Sequence, residues 1–111
     1  MEMKNNAMVF TFESLNWDKT VAGEVLITVT DERVIMTTIN EEGVSTEMTR
    51  LDEIYVAELM GENIINIEYK EEFSGEESHL LVMVDMEDVH QKLSTELLLK
   101  ELNVGVLQET K

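Results

Sequence analysis

The sequence predicts an α+β, mainly β domain: a bent antiparallel sheet or partly open barrel of about seven strands, capped by a C-terminal α-helix. Two observations carry this. Short runs rich in β-branched and aromatic residues alternate with Gly-, Asn- and Asp-containing turns through most of the chain. The hydrophobic spacing then changes to a helical period near the C-terminus. No repeat, low-complexity linker or composition break divides the 111 residues, so a single domain spanning 1–111 is expected, with its core over about 8–102.

The first two strands are expected at residues 8–12 and 24–30, flanking a connection that holds Asn16, Trp17 and Gly23. Thr30-Asp31-Glu32 breaks the chain before a strand over Arg33–Asn40, and Asn40-Glu41-Glu42-Gly43 breaks it again before Val44–Thr49. Both breaks read as hairpin turns, with Gly43 supplying positive φ. In the 44–49 strand, Val44, Thr46 and Met48 alternate with Ser45, Glu47 and Thr49, which turns the first set toward the core. Leu51–Leu59 reads as a bend into a strand. Gly61-Glu62-Asn63 and Ser74-Gly75-Glu76-Glu77 then punctuate two further strands, Ile64–Lys70 and His79–Met86. For the helix, Asp85 is the expected cap, and Met86, Val89, Leu93 and Leu97 share one face. Leu98, Leu99 and Leu102 widen that stripe, and Asn103 and Gly105 are expected to stop the helix.

Charge excludes several partners. Eight Lys and Arg against 24 Asp and Glu give a net charge of −16, and the basic residues are scattered singly. Nucleic-acid phosphates and anionic membrane surfaces are bound by clustered cations, so neither is an expected partner. A protein partner with a basic surface fits better. With no cysteine there is no disulfide framework and no thiolate site. No stretch reaches the length of a membrane span and the N-terminus lacks the plan of a signal peptide, so a cytoplasmic location is expected.

Little in the sequence supports catalysis. His79 and His90 stand eleven residues apart without an H-x-x-x-H spacing, and Ser94 near His90 lacks any activating motif. Glu71-Glu72 and Glu76-Glu77 flank Phe73 and Gly75 without the residue order of a calcium loop. No cofactor, metal or catalytic residue is expected. The methionines Met3, Met8, Met36, Met48, Met60, Met83 and Met86 are expected to point mostly inward. Trp17, in a loop, either plugs one end of the barrel or serves as a contact residue. With the turn carboxylates Glu41, Glu42, Glu71, Glu72, Glu76 and Glu77, it makes up the candidate protein-binding set. The open edge at 44–49 could pair with another copy.

Three segments carry a family resemblance. Gly23-Glu24-Val25-Leu26-Ile27-Thr28, Thr30-Asp31-Glu32-Arg33-Val34-Ile35 and Thr49-Arg50-Leu51-Asp52-Glu53-Ile54 resemble the pattern of prokaryotic PH-like and GRAM-like domains over roughly residues 8–102. A narrower likeness rests on the order of Trp17, the Gly23 strand, the Asp31-Glu32-Arg33 turn, the 51–54 bend and Leu99-Lys100-Glu101-Leu102-Asn103. That order is similar to the archaeal taxis adaptor family CheF. The resemblance implies a non-catalytic interaction module, with the chemotaxis response regulator and archaellum motor proteins as partners. Phosphoinositide binding does not carry over, because Lys19 alone stands among Glu13, Asp18 and Glu24. Acidity by itself also fits a different class, a nucleic-acid-mimic inhibitor of a basic DNA- or RNA-binding protein, encoded by a phage or mobile element.

Overall fold

The computed structural model describes residues 2–4 and 6–109, and the side chains of 6–103. The strands are β1 (Glu2–Lys4), β2 (Ala7–Leu15), β3 (Val21–Val29), β4 (Arg33–Asn40), β5 (Gly43–Arg50), β6 (Ile54–Met60), β7 (Ile64–Lys70) and β8 (Glu77–Met83). A short 3-10 turn at Leu51–Glu53 joins β5 to β6, and the helix α1 runs from Val89 to Glu109. The strands form one antiparallel sheet in the order β5-β4-β3-β2-β8-β7-β6, with β1 paired to β2 outside that path. The sheet is open, with β5 and β6 as its edges. The fold class read from the sequence therefore holds, and β1 is the strand that reading missed.

The sheet bends because β2 serves both halves. Met8–Leu15 pairs with β3, whereas only Glu13–Leu15 pairs with β8, at Met83–Leu81. Beyond Glu13 the halves diverge, and Val84 N–H donates to the Asn63 carbonyl instead (2.8 Å). The same bend brings the end of β5 against the β7–β8 loop. Thr49 Oγ1 donates to the Lys70 carbonyl (2.7 Å) and Glu72 N–H to the Met48 carbonyl (2.7 Å). The enclosed core contains Phe10, Val25, Ile27, Val34, Ile65 and Ile67, with Leu98 and Leu102 of α1. Phe10 and Phe12 stack nearly parallel, with ring centroids 6.4 Å apart.

Five expectations are corrected. In β5 the inward residue is Thr49, opposite buried Val34, whereas Val44 is 66% exposed. The polar face can turn inward because its groups are bonded: the Tyr69 hydroxyl donates to Glu47 Oε1 (2.6 Å), and Thr49 bonds Lys70 as above. In α1, Val89 and Leu93 are 67% and 60% exposed, and the face carrying Thr95, Leu98 and Leu102 is buried. The helix cap is Asp88, whose Oδ1 accepts from His90 N–H (2.9 Å) and Gln91 N–H (3.1 Å), while Asp85 bonds Glu87 N–H. The helix also continues through Asn103 and Gly105, since a single glycine weakens a helix without ending it. Of the methionines with described side chains, only Met36 is fully in the core. Met8 and Met86 pack partly against it, and Met48 lies on the outer face. Met3 lies outside the described side chains. Gly43 has the expected positive φ, 133°.

Candidate functional site

The divergence of β2 from β8 leaves a cleft of about 770 Å³, within the range of small-molecule and side-chain pockets. Its inner wall is apolar, made of Phe12, Met83, Val84 and Met86. Glu13, Glu24, Glu62, Asp85 and Glu87 rim it, all exposed. No Lys, Arg or His lines it. Each carboxylate has a local reason for its position. Glu13 and Glu24 are cross-strand partners in β2 and β3, Glu62 sits on the β6–β7 turn, and Asp85 and Glu87 belong to the turn that leads into α1. Like charges directly opposite on a sheet are unfavourable, so the Glu13–Glu24 pair is a locally disfavoured arrangement.

The carboxylates surround the cleft without converging. Among the described residues no group of three or more His, Asp or Glu is placed to hold a metal ion. The lining contains no histidine or serine to act as base or nucleophile. Such a site can receive a cation whose stem lies along Phe12 and the two methionines and whose charge meets the rim.

The residues singled out in the sequence fall into three groups. Trp17 lies in the β2–β3 loop, 75% exposed, with its ring on His79 of β8 at a centroid distance of 3.9 Å. It therefore stands in water instead of plugging the barrel. Asn16 and Asp18 brace that loop: Asn16 N–H bonds the Thr20 carbonyl (2.8 Å), and Asp18 Oδ1 accepts from Thr20 N–H (3.0 Å). The Thr20 hydroxyl and N–H hold the Asp18 carboxyl below its usual range. Glu41 and Glu42 are exposed on the β4–β5 turn.

The four carboxylates around Phe73 are not equivalent. Glu71 is buried and bonded to backbone. Its Oε1 accepts from Ser74 N–H (2.8 Å) and Phe73 N–H (3.1 Å), and its Oε2 from Met48 N–H (3.2 Å). These bonds, led by Ser74, keep the Glu71 carboxyl below its ordinary pKa. Glu72 receives Arg33 Nε on both oxygens at 3.1 Å, and that pairing raises the Arg33 pKa. Glu76 and Glu77 are exposed and line a smaller hollow of about 370 Å³ with Phe73, Thr46 and Glu47. Phe73 itself is largely exposed.

Sequence reasoning did not assemble the cleft. Its carboxylates come from five separated positions, and only the pairing register places Glu13 against Glu24. Arg33 and Arg50 are also directly opposite each other, and both are already engaged, Arg33 by Glu72 and Glu32 and Arg50 by Asp52. No helix among the described residues is long and apolar enough to cross a membrane. Compared with known proteins, the chain matches no family model, no curated protein and no solved structure.

Proposed function

We propose that the chain is a non-catalytic protein-interaction module whose partner presents a basic surface. The observation that carries this reading is the 770 Å³ cleft rimmed by five carboxylates and lined by no cation. Exposed carboxylates facing one opening create a negative potential that attracts and orients a basic partner. The carboxylates are exposed and do not converge on one point, an arrangement that suits charge recognition. In its specific form the proposal is an adaptor of the archaeal chemotaxis type, acting in the cytoplasm between the response regulator and archaellum motor proteins, as the sequence resemblance implies.

The test is a titration of the purified chain with the chemotaxis response regulator and with basic archaellum motor components, at low and high salt. The expected result is a 1:1 complex whose affinity falls with added salt and falls at least ten-fold in the triple variant Glu13→Gln, Glu24→Gln, Glu62→Gln. If neither partner binds, the adaptor form fails. If a basic partner binds equally well to the triple variant, the cleft is not the site. A partner that exchanges this chain for DNA at one groove would transfer the protein to the nucleic-acid-mimic class.

A further inference from the structure

The outward side chains of β2, β3, β4 and β5 form a regular grid fixed by strand register. One row is Val9, Thr28, Ile35 and Met48. The next is Thr11, Leu26, Thr37 and Thr46. A third holds Glu13 and Glu24 at one end and Ile39 and Val44 at the other. Charged residues make up 29% of the chain, yet ten of these twelve positions are uncharged. The two charged ones both belong to the rim of the cleft.

Among the described residues no second layer covers this face. The alternate residues of the same strands, including Phe10, Val25, Ile27 and Met36, fill the core on the opposite side, and α1 packs on β6 and the 3-10 turn. Strands covered on one face alternate apolar and polar residues, whereas strands covered on both read as continuous apolar runs. Val25-Leu26-Ile27 in β3 and Val34-Ile35-Met36 in β4 are three-residue apolar stretches that put Leu26 and Ile35 on this face, beside Thr28 and Thr37. Among the described residues only one layer is present, so these two side chains have no covering layer.

Charge around the face identifies what covers it. At one end stand Glu13 and Glu24, with Glu41 and Glu42 on the adjoining turn. At the other end Arg33 and Arg50 are already held by Glu72, Glu32 and Asp52. The face carries Leu26, Ile35, Ile39 and Val44 among threonines, with charge at its rim, and such a mix of apolar and polar groups is compatible with a protein interface. We infer that this face and the cleft form one docking surface for a partner segment that carries an apolar strip ending in a cluster of Lys or Arg. The strip lies on Leu26, Ile35, Ile39 and Val44, and the basic end enters the cleft past Glu13 and Glu24. Four strands about 4.8 Å apart and five residues rising about 3.3 Å each give a face of roughly 300 Å² in projection. That is well short of the ~800 Å² a stable interface uses on each side, so the face requires the adjoining cleft. This inference rests on the interaction-module reading and adds to it the apolar half of the surface and the direction of the bound segment.

The probe is a synthetic 15-residue peptide with an Ile/Leu strip and four lysines at one end, titrated into the full chain labelled with nitrogen-15. A control peptide replaces the lysines with glutamates. The expected result is shifts of the Leu26, Ile35, Thr37 and Thr46 amides together with those of the cleft, and at least ten-fold weaker binding of the control. Thr37→Glu puts a charge at the centre of the face and is expected to weaken binding at least ten-fold. Thr46→Glu does the same at an exposed position on the edge strand, where the fold tolerates it. Shifts confined to the cleft with normal binding by both variants would overturn the inference while leaving the interaction module intact. Self-association of the chain through this face, detected by sedimentation and abolished by Thr46→Glu, would overturn it in favour of a second copy as the occupant. Equal binding of both peptides, or of neither, would also overturn it.

Discussion

Glu13 of β2 stands directly opposite Glu24 of β3, and both also line the cleft. Two carboxylates at a cross-strand pair repel, and nothing basic in the cleft lining relieves them. Replacing Glu24 with lysine converts the repulsion into an attraction. Glu24→Lys is expected to stabilise the fold by about 0.2–1 kcal/mol, measured by urea unfolding, while weakening the binding of a basic partner. A variant that gains stability and loses binding identifies the pair as kept for recognition.

Acid should act through Glu71. Its native carboxyl titrates below the ordinary value of 4.5, mainly because Ser74 N–H bonds the charged form. A group with a depressed native pKa contributes its full stability above its unfolded pKa and loses it as pH falls through the native value. The stability difference between the wild type and Glu71→Gln is therefore expected to be constant near neutrality and to shrink progressively below pH 4.5. Unfolding curves of both proteins across that range measure it. A difference that persists undiminished at low pH would show that the carboxylate form is not what the loop requires.

The orientation of α1 can be checked with two leucines. Leu98 is fully buried and Leu93 is mostly exposed. Leu98→Ala is expected to cost about 2–5 kcal/mol and Leu93→Ala within about 0.5 kcal/mol, both read from denaturant midpoints. Equal costs would contradict the helix face described above.

Gly23 lies in β3 beside the register shift between Ser14 and Leu15. A Cβ at this position would collide with the Ile39 carbonyl oxygen and crowd Asn40. Backbone cannot yield as a flexible side chain does, so Gly23→Ala is expected to destabilise by about 1–3 kcal/mol. Differential scanning calorimetry of the variant tests this.

Trp17 is the only tryptophan in the chain and therefore a fluorescent reporter of its own surroundings. Exposed as it is on His79, it is expected to emit at long wavelength and to be quenched by added iodide. Trp17→Ala is expected to change stability by less than about 1 kcal/mol. If the loop contributes to docking, a blue shift accompanies partner binding and the alanine variant binds more weakly.

The sequence by itself determined the secondary structure of most of the chain, the positions of the hairpins and the acidity of the surface. Local rules suffice for these: β-branched runs extend, Gly43 supplies the positive φ a turn needs, and isolated cations cannot offset 24 carboxylates. Tertiary structure decided which face of β5 and of α1 turns inward. α1 carries apolar residues on more than one side, so periodicity left its direction open, whereas in β5 periodicity pointed Val44 and Met48 inward and tertiary contacts overrode it. Thr49 could be buried, and Glu47 half-buried, only because Lys70 and Tyr69 satisfy them from a strand about twenty residues away. Tertiary structure also decided the candidate site. Glu13, Glu24, Glu62, Asp85 and Glu87 are brought around one opening by strand register and by the divergence of β2 from β8. Glu71 and Glu72, adjacent in sequence and alike in chemistry, are held by different partners: backbone N–H groups for Glu71 and a guanidinium for Glu72. Charge is a property of composition, whereas the convergence of charges depends on contacts between residues far apart in the chain.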